Sequence, residues 1–174
     1  MMTKISYRDV GMDGLDLIQE LWMLLRLHVK SRNTDFNDQM EQLTFQERKE
    51  FLIKKSKGGG IRVDLAETPD KVIIAYCIST LDPEKVGEVD SIFVSQEYRS
   101  LGIGDQLMKR SLEWMDEKGA HSKRIMVTAG NQDVLSFYRL YGFRPRSVIL
   151  EQIPDELNVI RDDLKLKELN DEEG

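Results

Sequence analysis

The stretch Arg99-Ser100-Leu101-Gly102-Ile103-Gly104 constrains this chain more than any other. It follows a β-prone run, Val86 to Val94, and precedes a run in which Ile103, Leu107, Met108, Leu112 and Met115 recur at helical spacing until Gly119. Glycines in a strand-to-helix turn let the backbone come close to a ligand. The unpaired amides at the helix start, helped by the helix dipole, then favour an anion such as phosphate. The same residues also suit a plain connection that uses glycine for geometry, and this short motif alone does not separate the two readings. Two familiar nucleotide loops fit badly. A P-loop needs Gly-Lys-Ser/Thr where Gly104 is followed by Asp105-Gln106, and a Rossmann fingerprint needs a small residue where Leu107 stands.

Alternating helical and strand periodicities surround this turn and predict an α/β domain. A strand from Lys4 to Val10 leads into a helix from about Asp13 to Lys30, with Leu15, Ile18, Leu21, Trp22, Leu25 and Val29 forming its apolar stripe. Leu17, Met23, Leu24 and Leu27 lie outside the stripe and read as extra core, with a partner subunit or an apolar part of the substrate as the alternative. The polar segment Ser31 to Leu43 reads as a loop. Thr44 and Glu47 form a T-x-x-E capping pattern that opens a second helix running to about Lys57. Strands Ile61–Glu67 and Val72–Leu81 flank Thr68-Pro69-Asp70-Lys71, a hairpin turn. In the strand Val86–Val94, alternation places Val86, Glu88, Asp90, Ile92 and Val94 on one face, so two carboxylates interrupt an apolar surface. Beyond it, Lys123 to Thr128 is strand-like, Asn131 can cap a helix to about Tyr141, and Phe143 to Gln152 reads as a final strand with Pro145 near its start. Ile153, Leu157, Ile160 and Leu164 fit a short amphipathic helix before an acidic end. The organisation expected is a single domain over residues 1–153, followed by a C-terminal amphipathic segment and acidic tail over 154–174.

Charge and cysteine usage remove several function classes. The net charge is −6, which gives no broad electrostatic attraction to nucleic acid or anionic membrane and slightly favours a cationic ligand. No apolar run approaches the length of a membrane span, and Lys4, Arg8 and Asp9 interrupt the amino terminus where a signal peptide needs apolar residues, so a cytoplasmic location is expected. Cys77, the one cysteine, lies in an apolar run and reads as a buried inert thiol. His28 and His121 lack the paired spacing of a zinc site, and no metal is expected.

Taken together, Glu88-Val89-Asp90-Ser91-Ile92-Phe93-Val94, Tyr98-Arg99-Ser100-Leu101-Gly102-Ile103-Gly104, Asn131, Phe137-Tyr138 and Tyr141-Gly142-Phe143 resemble the GCN5-related N-acetyltransferase (GNAT) family. The resemblance covers roughly Val86 to Leu150. It implies a mixed, twisted β-sheet with a central V-shaped opening, flanked by helices, and acetyl-coenzyme A (acetyl-CoA) lying in the opening. The pyrophosphate would sit on the amides of Ser100, Leu101, Gly102, Ile103 and Gly104, with Arg99 also among the cofactor-binding residues. The backbone of Ile92, Phe93 and Val94 would pair with the pantetheine like an added strand, and Asn131 would hold the pantetheine region.

The resemblance also implies direct attack by an amine on the thioester. An alkyl ammonium has a pKa of about 10, so the attacking nitrogen must lose a proton. Glu88 stands eleven residues before Arg99, the register of the general base in the histone-modifying branch of the family, and Asp90 is the alternative. Both carboxylates also suit an exposed strand face paired with Lys or Arg. Tyr138 occupies the family's proton-donor position, while Tyr141 resembles a packing residue. The acceptor expected is a small-molecule amine, with a protein amino terminus or lysine as the other enzyme reading. The rival from another class is a non-catalytic acetyl-CoA-binding sensor. A homodimer is compatible with the family and with the surplus apolar surface of the first helix.

Overall fold

The computed structural model describes residues 4–32 and 42–152. They fall into two compact units divided between Val134 and Leu135. The expected amphipathic helix at Ile153–Leu164 and most of the Ser31–Leu43 loop lie outside the described residues.

In the first unit, β1 (Ser6–Val10), β2 (Gly60–Glu67), β3 (Ile73–Leu81), β4 (Val86–Val94) and β5 (Ser122–Ile125) form one mixed sheet in the order β1-β2-β3-β4-β5. The first three pairings are antiparallel, and β4 pairs with β5 in parallel. The helices are α1 (Gln19–Lys30), reached through a 3-10 segment Met12–Ile18, α2 (Phe45–Lys55) and α3 (Ile103–Glu117). A core of Leu15, Ile18, Leu21, Trp22 and Leu52 packs against Val63, Leu65, Tyr76, Ile78 and Phe93 on one sheet face. This is the apolar stripe read from the sequence, now matched to the sheet residues it covers. Leu17, Met23, Leu24 and Leu27 are not extra core, because all four are about half exposed or more.

The T-x-x-E pattern forms a complete capping box. The Glu47 amide donates to the Thr44 hydroxyl oxygen (3.2 Å), and the Thr44 amide donates to the Glu47 carboxylate (2.8 Å). The amide and then the hydroxyl of Thr44 hold the Glu47 carboxyl below its ordinary range. A carboxyl depressed in the folded state stabilises above its unfolded pKa and loses that contribution as pH falls through the folded one. Thr44→Ala is expected to lower the unfolding free energy by about 1 kcal/mol near neutral pH. Urea denaturation checks this, and an unchanged midpoint would mean that α2 does not depend on the cap.

Two features of β4 create the opening that the resemblance implies. On the β5 side, only Val86–Val89 are paired, with Ser122–Ile125, so Asp90 to Val94 have no strand neighbour on that edge among the described residues. On the β3 side, Ile78 pairs with Ser91 but Ser79 pairs with Val89, leaving Asp90 as the extra residue of a bulge. A bulge bends and twists its strand, and this one falls where the parallel pairing stops.

The bulge corrects the expected face assignment. Glu88, Ser91 and Phe93 oppose Thr80, Ile78 and Tyr76 on β3, so these six share a face, and the Tyr76 hydroxyl meets the Ser91 hydroxyl at 2.8 Å. Ile92 and Val94 point to the other side, away from Glu88. Regular alternation fails because one inserted residue shifts the phase of every side chain beyond it.

The second unit holds α4 (Leu135–Arg139) and the residues after it. The strand expected at Phe143–Gln152 is absent, since no β-pairing forms there among the described residues. Val148, Ile149 and Leu150 are almost fully exposed, so the β-prone composition finds no partner to complete it.

Candidate functional site

The glycine-led turn before α3 forms as its residues require. Ser100 has φ 64° and Gly102 has φ 76°, both left-handed, and Gly102 is the N-cap of α3. A Cβ at Gly102 would meet nothing within 4 Å, so glycine is favoured by the backbone angle rather than by lack of space. No side chain caps α3, and its first backbone bond runs from the Gln106 amide to the Gly102 carbonyl. The amides of Ile103, Gly104 and Asp105 thus remain the kind of donor set that binds phosphate. Arg99 is partly committed, since its Nε donates to the Val94 carbonyl (3.1 Å) and its guanidinium lies 5.8 Å from the Phe93 ring centre. These contacts fix the loop to the end of β4, beside the edge formed by Ile92, Phe93 and Val94.

Asn131 supplies an independent observation. Its amide donates to the Thr128 carbonyl (3.1 Å) and its carbonyl accepts from the Val134 amide (3.3 Å), but its Oδ1 is buried with no hydrogen-bond partner among the described residues. A plain helix cap would use that oxygen to accept a backbone N–H. A buried unpaired acceptor is costly, and an amide N–H such as pantetheine carries would satisfy it.

The carboxylates expected as candidate bases lie in a charged cluster. Lys55 on α2 reaches Glu88 at 3.0 Å and Asp90 at 2.6 Å. Arg124 on β5, opposite Glu88 in register, donates through Nε to Glu88 at 2.6 Å. Arg48, also on α2, donates to the Asp90 carbonyl at 3.0 Å and approaches its carboxylate at 3.7 Å. Thr80 hydrogen-bonds Asp90 as well. The carboxylate side chains are only 7% and 2% exposed, so these pairings offset the cost of burying them.

The two acids differ in what remains available. Asp90 has both oxygens engaged, Oδ1 by Lys55 and Oδ2 by Thr80. Both cations on Glu88 meet Oε2, and its Oε1 makes no hydrogen bond among the described residues. Arg48, Lys55, Thr80 and Arg124 were not singled out from the sequence. The spacing of Arg48 and Lys55 on α2 shows that they share a helix face, but not that the face covers β4.

Other expected residues fall outside this cluster. Burial pushes the Cys77 thiol up to about 12, as befits an inert core residue. Burial, then Arg32 and Arg99, pushes the His28 imidazole down, while Asp133 opposes the shift. Tyr138 lies in the second unit, buried in α4 with its ring centre 5.5 Å from Phe137 and 6.5 Å from Phe143. Tyr141 packs edge-on against Phe137, the packing place expected of it. No helix among the described residues is long and apolar enough to cross a membrane.

Comparison with known proteins bears on the family and the fold. The sequence model of the acetyltransferase (GNAT) family matches residues 21–143. An uncharacterized N-acetyltransferase from Methanocaldococcus jannaschii is 26% identical over 101 residues, 57% of this chain and 45% of that protein. The chain therefore spans about half the length of the curated relatives it matches. Among solved structures, a GCN5-related N-acetyltransferase from Ralstonia eutropha gives a TM-score of 0.67 at 16% identity, covering 87% of this chain and 99% of that one. The aminoglycoside N-acetyltransferase AAC(6')-Iy, solved in complex with CoA, gives 0.59 at 18% identity, with 88% and 97% covered. At these identities the structural matches establish the fold.

Proposed function

This chain belongs to the acetyltransferase (GNAT) family, and on that premise we propose that it transfers the acetyl group of acetyl-CoA to the primary amine of a small molecule. The observation that carries the reading is the joint presence of two features suited to CoA: an uncapped, glycine-led helix start and the buried Asn131 Oδ1, which has no hydrogen-bond partner among the described residues. In this reading the amides from Ser100 to Gly104 hold the pyrophosphate, and Arg99 keeps the loop against β4. The unpaired β4 edge at Ile92, Phe93 and Val94 accepts the pantetheine as an added strand, with Asn131 Oδ1 taking one of its N–H groups. Bound acetyl-CoA supplies an activated acyl carbon.

The neutral amine nitrogen bonds to that carbon as the carbon–sulfur bond breaks. One proton leaves the nitrogen and one is delivered to the sulfur, so the products are the N-acetyl amine and free CoA thiol. Glu88 is the proposed proton acceptor, because its Oε1 makes no hydrogen bond among the described residues while Lys55 and Arg124 fix its other oxygen. Asp90, with both oxygens engaged, then serves to hold Lys55 and Arg48 in place. Tyr138 is the proposed donor to sulfur, supported by its position in the family motif. The inert Cys77 is consistent with direct transfer.

Release of CoA thiol across a panel of amines and peptides tests the proposal. Amine-dependent release supports it, and release only with peptides moves the acceptor to a protein. Acetyl-CoA binding without turnover on any acceptor would favour the sensor reading, and absence of binding to folded protein would refute both. Asn131→Ala is expected to weaken acetyl-CoA binding about 3- to 10-fold, the worth of one hydrogen bond. Titration calorimetry checks this, and an unchanged affinity would remove Asn131 from the site.

A further inference from the structure

The charge balance around Glu88 and Asp90 points to a particular kind of acceptor. Recognition of a polycation calls for carboxylates with spare charge, yet these two are surrounded by three cations: Arg48, Lys55 and Arg124. Lys55 and Arg124 converge on one oxygen, Glu88 Oε2. Like charges held so close repel one another, and an additional anion nearby relieves that repulsion.

Arg124 is the cation with donors to offer. Its side chain is 56% exposed, and its hydrogen bonding among the described residues is confined to Nε on Glu88. The terminal guanidinium nitrogens are therefore available for a planar anion, and a carboxylate matches their geometry. On α2, the Phe51 ring is about half exposed, with the Arg48 guanidinium 5.6 Å and the Lys55 ammonium 6.0 Å from its centre. It adds apolar surface beside the charges.

We infer that the acceptor is an amine that also carries a carboxylate, a small amino acid or close analogue, with Arg124 binding the carboxylate. This rests on the acetyl-transfer reading and specifies its acceptor. The carboxylate offsets the repulsion that a simple alkylammonium or a polycation would meet on binding.

Matched acceptors that differ only in the carboxylate test the inference: L-phenylalanine against phenethylamine, and L-methionine against 3-(methylthio)propylamine, with spermidine and kanamycin as polycations. The expected result is a kcat/KM at least about tenfold higher for the carboxylate member of each pair. The ratio between members should fall toward one in Arg124→Met and partly recover in Arg124→Lys. Equal or better turnover of the decarboxylated amines, a preference for either polycation, or a ratio that survives Arg124→Met in folded protein would overturn it. If Arg124→Met does not fold, the wild-type ratios decide alone. Acetyl-CoA binding, measured in parallel, separates the two levels of the argument. Loss of binding refutes the transferase reading itself, whereas binding without turnover of either amino acid overturns only the acceptor assignment.

Discussion

Glu88→Gln is expected to lower kcat/KM for the accepted amine by roughly 10²- to 10⁴-fold, the range associated with a positioned general base. The substitution keeps the size and shape of the side chain and removes its capacity to take a proton from the attacking nitrogen. Because Lys55 and Arg124 also lose an ionic partner at Oε2, the stability of the variant must be measured beside its activity. Acetyl-CoA affinity separates the causes further, since the proposed cofactor contacts lie on the α3 start, the β4 edge and Asn131. A fall in turnover with near-native folding and retained acetyl-CoA affinity supports the assignment. Wild-type turnover in Glu88→Gln would sink it and leave Asp90 as the candidate base.

The second large effect is on stability. Lys55 bridges two nearly buried carboxylates, and Lys55→Met would leave them facing each other with only Arg124, Arg48 and Thr80 as partners. Breaking a buried ion pair costs about 3–5 kcal/mol because the remaining charge is left uncompensated, and the surviving cations place this case near the lower end. At about 2–4 °C per kcal/mol for a chain of this size, the melting temperature should fall by roughly 6–12 °C. Lys55→Arg, which keeps the charge, should recover part of the loss. A melting temperature within a degree or two of wild type would show that the cluster relaxes into water when its bridge is removed.

Legibility in the sequence followed the range of the interaction. The Thr44–Glu47 capping box, the helix beginning after Gly102, the buried stripe of Leu15, Ile18, Leu21 and Trp22, and the β4 limits at Val86 and Val94 all appear as expected, although Leu15 and Ile18 lie in the 3-10 segment before α1. Each depends on residues a few positions apart, whose geometry is set by local backbone sterics and hydrogen bonding. The motif residues also carried the family resemblance, through the spacing of Glu88, the Arg99–Gly104 turn, Asn131 and Tyr138.

Other features were hidden because their causes lie between elements. Nothing in Glu88-Val89-Asp90-Ser91 announces a bulge. Its place is set by where β3 pairs with β4 and where β5 stops, so Ile92 and Val94 were assigned to the wrong face. The Phe143–Gln152 strand failed for a related reason: composition gives a segment the capacity to pair, but pairing needs an edge in register.

The charged cluster shows the division most clearly. By itself the sequence determined that two carboxylates stand two residues apart on a strand before a glycine-rich strand-to-helix turn. Tertiary structure decided that Lys55 and Arg124, 35 and 36 residues away from their partners Asp90 and Glu88, would meet them. Burial makes that decision consequential. At an exposed strand the two acids would attract a cation, but folded beneath α2 each must have its charge compensated within the protein.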